Sequence, residues 1–345
     1  MTSIKKRTNI FGKDKSIQLK GIAILMMVYA HLFYKPEQRV PGSNVLSVFL
    51  GKNHIIINII LRLAEISLPL FIFIAGYAAC IAINNNSFSF KKTASKLYPK
   101  IWLVLLVFVP ILLVMGKIKA NPLEMLLNAT GFYYSYCGEW WFFGLYILLT
   151  LFVVILKKTK ILYNPYFLVG VSIFLLIVGY AIKMKFPKFI QGDVGQPIYY
   201  FLIKQPIYFS GYLCCKYSVF ERIVNSFKHK WYYLLILLWL FQFTKIPESF
   251  YLPFVVPGVV LVLSEMRKGK VVKKVLTFLG KNSTYMWLTH SILIYSIAPK
   301  IVYYFHYSVI DYITILILDI PVALGFSYLE KGIGKGINKL KKKSA

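Results

Sequence analysis

Residues 20–31 read K-G-I-A-I-L-M-M-V-Y-A-H, an apolar run with a cation, Lys20, at one end and a histidine, His31, at the other. Helical geometry closes about three turns between them, so both side chains leave nearly one face, about 16 Å apart along the axis. An ionisable group inside a membrane-length helix is costly and faces a cavity or a partner. Lys20 therefore reads either as an interfacial anchor or as a site cation. His31 reads either as a satisfied interfacial histidine or as a base poised near neutral pH. The run decides the fold class because its surroundings are equally apolar. The 345-residue chain is 58% hydrophobic and 15% charged, with mean hydropathy +0.64, which is too apolar for a soluble domain.

Outward from this run, about ten segments are long enough, or nearly so, to cross a bilayer: 17–34, 55–83, 97–116, 139–156, 161–182, 196–215, 231–245, 250–265, 283–300 and 309–329. The chain reads as an all-α polytopic membrane protein. A cytoplasmic tail (1–16) precedes a transmembrane domain (17–330), and a basic cytoplasmic tail (331–345) follows it. The first span has no small-residue cleavage motif after it and is read as retained. Of the 41 Lys and Arg residues, 29 fall on the side of the N-terminus when the spans are alternated, ten on the other side and two, Arg62 and Lys204, within spans. That bias places both termini in the cytoplasm. It also accounts for the net charge of +29 without a basic domain, which excludes nucleic acid as a partner. Cys80, Cys137, Cys214 and Cys215 have no metal-ligand spacing and read as small packing residues.

Several polar residues fall where chemistry could occur. Arg62 and Glu65, at i and i+3 in the second span, form an ion pair between helices, or Arg62 holds an anion, or Glu65 orients a histidine. Lys91, Lys92, Lys96 and Lys100 precede or open the third span at Tyr98-Pro99. They serve positive-inside charge or dock a phosphate-rich cytoplasmic ligand. Glu139 opens the fourth span beside Trp140-Trp141, an aromatic belt; the carboxylate would bind a sugar hydroxyl or a cation. Lys204 lies mid-span and needs a carboxylate, for which Asp319 is the candidate. His290 is a second intramembrane histidine, in a helix expected to start at Gly280-Lys281-Asn282-Ser283 with an Asn or Ser cap. It is either a core hydrogen-bond partner or a catalytic group.

Over essentially its whole length the chain resembles the membrane-bound acyltransferase 3 family. The basic residue and the histidine of that family's first helix match Lys20 and His31, with lysine replacing the usual arginine. Leu70-Phe71-Ile72-Phe73-Ile74-Ala75-Gly76-Tyr77 is similar to its second helix, with Ala75 in place of serine. Lys91-Lys92 through Tyr98-Pro99 resembles its basic loop, and Trp141-Phe142 its fourth-helix start. Gly280 through Trp287-Leu288-Thr289-His290 resembles its late Gly-x-x-Ser-x-x-x-Tyr-Leu-x-His pattern, with Trp287 for tyrosine. Lysine keeps the charge at position 20 but lacks the bidentate fork of arginine.

The resemblance implies an acyl-CoA co-substrate, acetyl-CoA foremost, and transfer of its acyl group to a hydroxyl of a cell-envelope polysaccharide or glycolipid. It implies a multi-pass protein of the bacterial cytoplasmic membrane and no metal. On this reading His31 acts as base or acyl relay, with His290 and Glu139 as further catalytic candidates. Lys20, Arg62, Lys91, Lys92 and Lys96 would hold the donor. With no extracytoplasmic domain in the sequence, the chain either transfers directly or works with a separate transferase. The rival reading is a transporter or flippase of a glycan or lipid-linked intermediate, suggested by buried charges and proline-broken helices.

Overall fold

A computed structural model describes residues 10–43, 55–192, 194–227 and 246–343. The described residues form helices and no strand. In order they are α1 (Lys13–Phe33), α2 (Pro36–Arg39), α3 (Ile55–Ala64), α4 (Ser67–Asn84), α5 (Phe90–Val114), α6 (Pro122–Thr130), α7 (Trp141–Lys158), α8 (Pro165–Lys185), α9 (Gly195–Lys216) and α10 (Val219–Phe227). They continue with α11 (Glu248–Glu265), α12 (Lys270–Ile292), α13 (Pro299–Val302) and α14 (Ser308–Lys343). Among the described residues, seven helical segments are long and apolar enough to cross a membrane. The helices α9 and α12, of 22 and 23 residues, have spanning length but more polar faces. The expected span 231–245 lies outside the described residues. The protein is an all-α, multi-pass membrane protein.

Three boundaries differ from expectation, each because a polar or proline residue was read as an edge. Helix α5 starts at Phe90 and contains Pro99 and Pro110, so Lys91, Lys92 and Lys96 lie on its first turns rather than in a loop. Proline is tolerated inside membrane helices when other groups serve the freed carbonyls. Helix α12 begins at Lys270, well before Gly280, so Asn282 and Ser283 are interior and cap nothing. Its lysines are good helix formers despite their charge. The residues 331–343, expected as a tail, continue α14.

The chain divides into two compact units. The first contains residues 1–23, 66–90 and 145–280, and the second 24–65, 91–144 and 281–345. In the first, α4 and α9 approach until their backbones touch. A Cβ on Gly76 would lie 1.8 Å from the Tyr208 carbonyl oxygen, and one on Gly211 would lie 2.2 Å from that of Phe73. Only glycine permits this approach, as in other small-residue seams between membrane helices. Pro206 interrupts α9 and cannot donate to the Leu202 carbonyl. The adjacent Gln205 amide reaches that oxygen at 3.4 Å and also donates to the Ser172 carbonyl of α8 at 2.7 Å. Lys204 pairs with Glu248 of α11, at 3.7 Å. The expected Asp319 partner is thereby replaced: Asp319 accepts from Thr289 at 2.5 Å.

In the second unit one face of α12 carries a polar ladder. Asn282 accepts from Ser327 at 3.1 Å, Tyr285 donates to Glu330 at 3.0 Å, and Thr289 meets Asp319. Lys100 of α5 pairs with Glu330 and lies 4.5 Å from the centre of the Tyr285 ring. The C-terminal carbonyls of α1, which have no helical partner, are met by tyrosines. Tyr295 donates to His31 O at 2.5 Å and Tyr303 to Leu32 O at 2.7 Å.

Candidate active site

The site is built where α1 ends, in the second unit. His31 stands in the last turn of α1 and His290 in the last of α12. The His31 Nδ1 and His290 Nε2 atoms are 2.6 Å apart, and the rings are parallel with centroids at 4.9 Å. His290 Nδ1 is 2.7 Å from the Met286 carbonyl oxygen. A carbonyl only accepts, so the His290 proton sits on Nδ1 and its Nε2 is left to accept. The proton between the rings therefore belongs to His31 Nδ1. His31 Nε2 then points the other way, to Glu139 Oε2 at 3.3 Å. With Nδ1 as the donor, His31 Nε2 is the nitrogen that can take a proton, and its contact with Glu139 becomes an ion pair once it does so.

Glu139 lies in a single 3-10 turn, Gly138–Trp140, ahead of α7. The Trp140 indole donates to the Leu288 carbonyl at 3.0 Å and is 1% exposed, which fastens the turn to α12 two residues before His290. Trp140 is thus core rather than the interfacial belt residue expected. The second carboxylate oxygen of Glu139 accepts from Arg39 Nη1 at 2.8 Å, and the same nitrogen lies 2.6 Å from the Tyr295 hydroxyl. Helix α12 gives way to a π-helical turn at Leu293–Ile297, which sets the direction from which Tyr295 reaches both His31 O and Arg39. Such wide turns recur at functional sites. Beside Glu139, burial and the carboxylate's charge both push the Cys137 thiol up, so it stays protonated and is a poor nucleophile.

The pair sits below one rim of its unit. Thr289, adjacent to His290, meets Asp319, eleven residues into α14, so the site lies about 16 Å along that helix from its start. Of the residues singled out from sequence, His31, His290 and Glu139 come together. Lys20 lies on the same helix as His31, α1, but falls in the first unit, whereas His31 falls in the second. Arg62 and Glu65 do not share a continuous helix, because the second span breaks after Ala64. Both are exposed, and Arg62 forms no ion pair with a described residue. Lys91 and Lys96 are exposed on the first turns of α5. Arg39 and Tyr295 were not foreseen: one looked like an ordinary loop cation, the other like part of an apolar run.

The second unit of this multi-pass helical protein thus gathers an imidazole pair, a carboxylate and a guanidinium into one network. The chain belongs to the acyltransferase 3 family, whose sequence profile, described as an acyltransferase domain, matches residues 15–329. Its reaction class is transfer of an acyl group other than an aminoacyl group. No curated protein and no solved structure matches the chain.

Proposed function

We propose that the protein is an O-acyltransferase of the bacterial cytoplasmic membrane. It moves an acyl group, acetyl foremost, from acyl-CoA to a hydroxyl of an envelope polysaccharide or glycolipid, with both termini in the cytoplasm. The observation that carries this reading is the 2.6 Å contact between His31 and His290, with Glu139 at the opposite ring nitrogen. An acceptor hydroxyl at His31 Nε2 gives up its proton there as its oxygen attacks the thioester carbonyl. The C–S bond breaks, and the departing CoA thiolate takes that proton from the imidazolium. Glu139 stabilises the transient cation, and Arg39 holds the carboxylate in place.

The donor side is supported by charge. Lys91, Lys92 and Lys96 crowd the N-terminal turns of α5, where the helix dipole is also positive, and anionic phosphates are favoured at such ends. Lys100 lies nine residues further along α5, level with Tyr285, and His290 lies five residues beyond Tyr285 on α12. Phosphates held at Lys91 would be about 21 Å from the histidines along the helices, a separation suited to a thioester on a long flexible arm.

The test incubates purified protein with acetyl-CoA labelled in the acetyl group and an envelope glycan extract. The expected result is alkali-labile label on the glycan with an equal amount of free CoA. Absence of CoA release, with movement of unmodified glycan across vesicles, would replace this reading by the transporter.

A further inference from the structure

Beside the histidine site the second unit contains a separate cavity of about 410 Å³, a volume within the range of small-molecule sites. Its walls include Ser43, Lys300, Tyr303, Tyr304 and His306. Its lining holds a larger share of polar surface than two apolar grooves elsewhere among the described residues. Two of its walls run directly into the catalytic network. The Tyr303 hydroxyl caps Leu32, next to His31, and Val40 in the wall follows Arg39, which holds Glu139.

Two observations indicate an occupant. The Ser43 hydroxyl is buried, with the residue 1% exposed, and has no hydrogen-bond partner although it lines the cavity. A buried hydroxyl left without a partner is costly, and a ligand oxygen would satisfy it. Lys300 is exposed at the wall and forms no ion pair with a described residue. No described lining residue is a carboxylate. The buried carboxylate of Asp311 lies within electrostatic reach of His306 and Tyr303 of the lining. Tyrosine faces, a hydroxyl and a cation together suit a sugar ring that carries a negative charge.

We infer that this cavity is an acceptor subsite for an anionic sugar residue, with Lys300 facing its charged group and Ser43 a ring hydroxyl. The inference rests on the acyl-transfer reading only for the word acceptor; the binding site stands without it. The shared chemistry is an anion on a sugar, which a carboxylate or a phosphate would supply.

Fluorescence polarisation with the full chain in nanodiscs separates these sources. The probes are labelled oligogalacturonide, a phosphorylated oligomannoside and neutral oligomannose. The expected result is at least tenfold tighter binding of one anionic probe than of the neutral one, and the better of the two names the charged group. Lys300→Glu, at an exposed position that does not threaten folding, should abolish that preference. Ser43→Ala should weaken the preferred anionic probe severalfold and leave its preference over the neutral probe intact. Equal binding of all three probes, no binding of either anionic probe, or an unchanged preference in Lys300→Glu would overturn the subsite. Intact binding without labelled acyl transfer would overturn the acyltransferase reading and leave the subsite standing.

Discussion

The seam between α4 and α9 and the seam between α12 and α14 meet opposite demands. At the first, side chains are removed: Gly76 and Gly211 let two backbones touch, and a neighbouring amide on Gln205 repairs the carbonyl that Pro206 frees. At the second, polar side chains are added: Asn282, Tyr285 and Thr289 each meet a partner on α14. Association in a bilayer has little hydrophobic drive, so close packing and hydrogen bonds carry it. A glycine seam is stable but chemically silent. A polar seam is less economical, yet it can carry histidines and acids in an apolar solvent, and the candidate site grows from its end. Substitutions in the first unit should therefore lower the amount of folded protein, and those around His31 should lower turnover without changing that amount.

The largest effect is expected at His31. A general base contributes about 10²–10⁴-fold in rate, so His31→Gln should reduce acyl transfer at least about a hundredfold. Membrane accumulation and the thermal midpoint should stay near wild type, because the side chain is partly exposed at a helix end. Labelled acyl transfer per mole of folded protein is the measurement. Normal transfer, or loss only through failure to accumulate, would remove His31 from the chemistry.

Gly76→Leu should do the reverse. Its Cβ would overlap the Tyr208 carbonyl oxygen at 1.8 Å, and backbone cannot yield as a flexible side chain does. Overpacking a well-packed site costs about 1–3 kcal/mol and sometimes more. Size-exclusion chromatography after a temperature series should show a lowered midpoint or no folded protein, while any folded fraction keeps its turnover. A wild-type midpoint would show that the seam is loose.

Arg39→Lys tests whether the network needs a fork or only a charge. Arg39 Nη1 reaches both Glu139 and Tyr295, and lysine would keep the charge while losing the planar geometry. The expected result is a drop in kcat of about tenfold with KM for the donor unchanged, the mark of an interaction strengthened in the transition state. Wild-type kcat would confine Arg39 to packing against Tyr295.

The site was half legible in the sequence. His31, His290 and Glu139 stand out because ionisable groups are rare in apolar runs, but nothing in their spacing says they meet, since 259 positions separate the two histidines. Arg39 carries no such contrast, being one cation among several in a polar loop. Tyr295 hides because tyrosine is common in apolar spans, and only the π-helical turn directs it toward His31. The boundary errors at Phe90 and Lys270 share one cause: charge marks the polar edge of a bilayer, not the end of a helix.

The smallest effect belongs to Lys204, whose mid-span charge looked most in need of a partner. Its Glu248 neighbour is 3.7 Å away, and while the Lys204 side chain is 15% exposed, that of Glu248 is 52% exposed, so the pair is open at its carboxylate end. Exposed pairs contribute about 0–1 kcal/mol. Lys204→Gln should shift the thermal midpoint by no more than a few degrees, and the double variant with Glu248→Gln should add little to that shift. High salt should shrink the difference further, because screening weakens exposed charges more than buried ones. A large loss of folded protein in Lys204→Gln, rescued by Glu248→Gln, would instead mean that the pair is a desolvated bridge, and that the first unit, like the second, is held by charge.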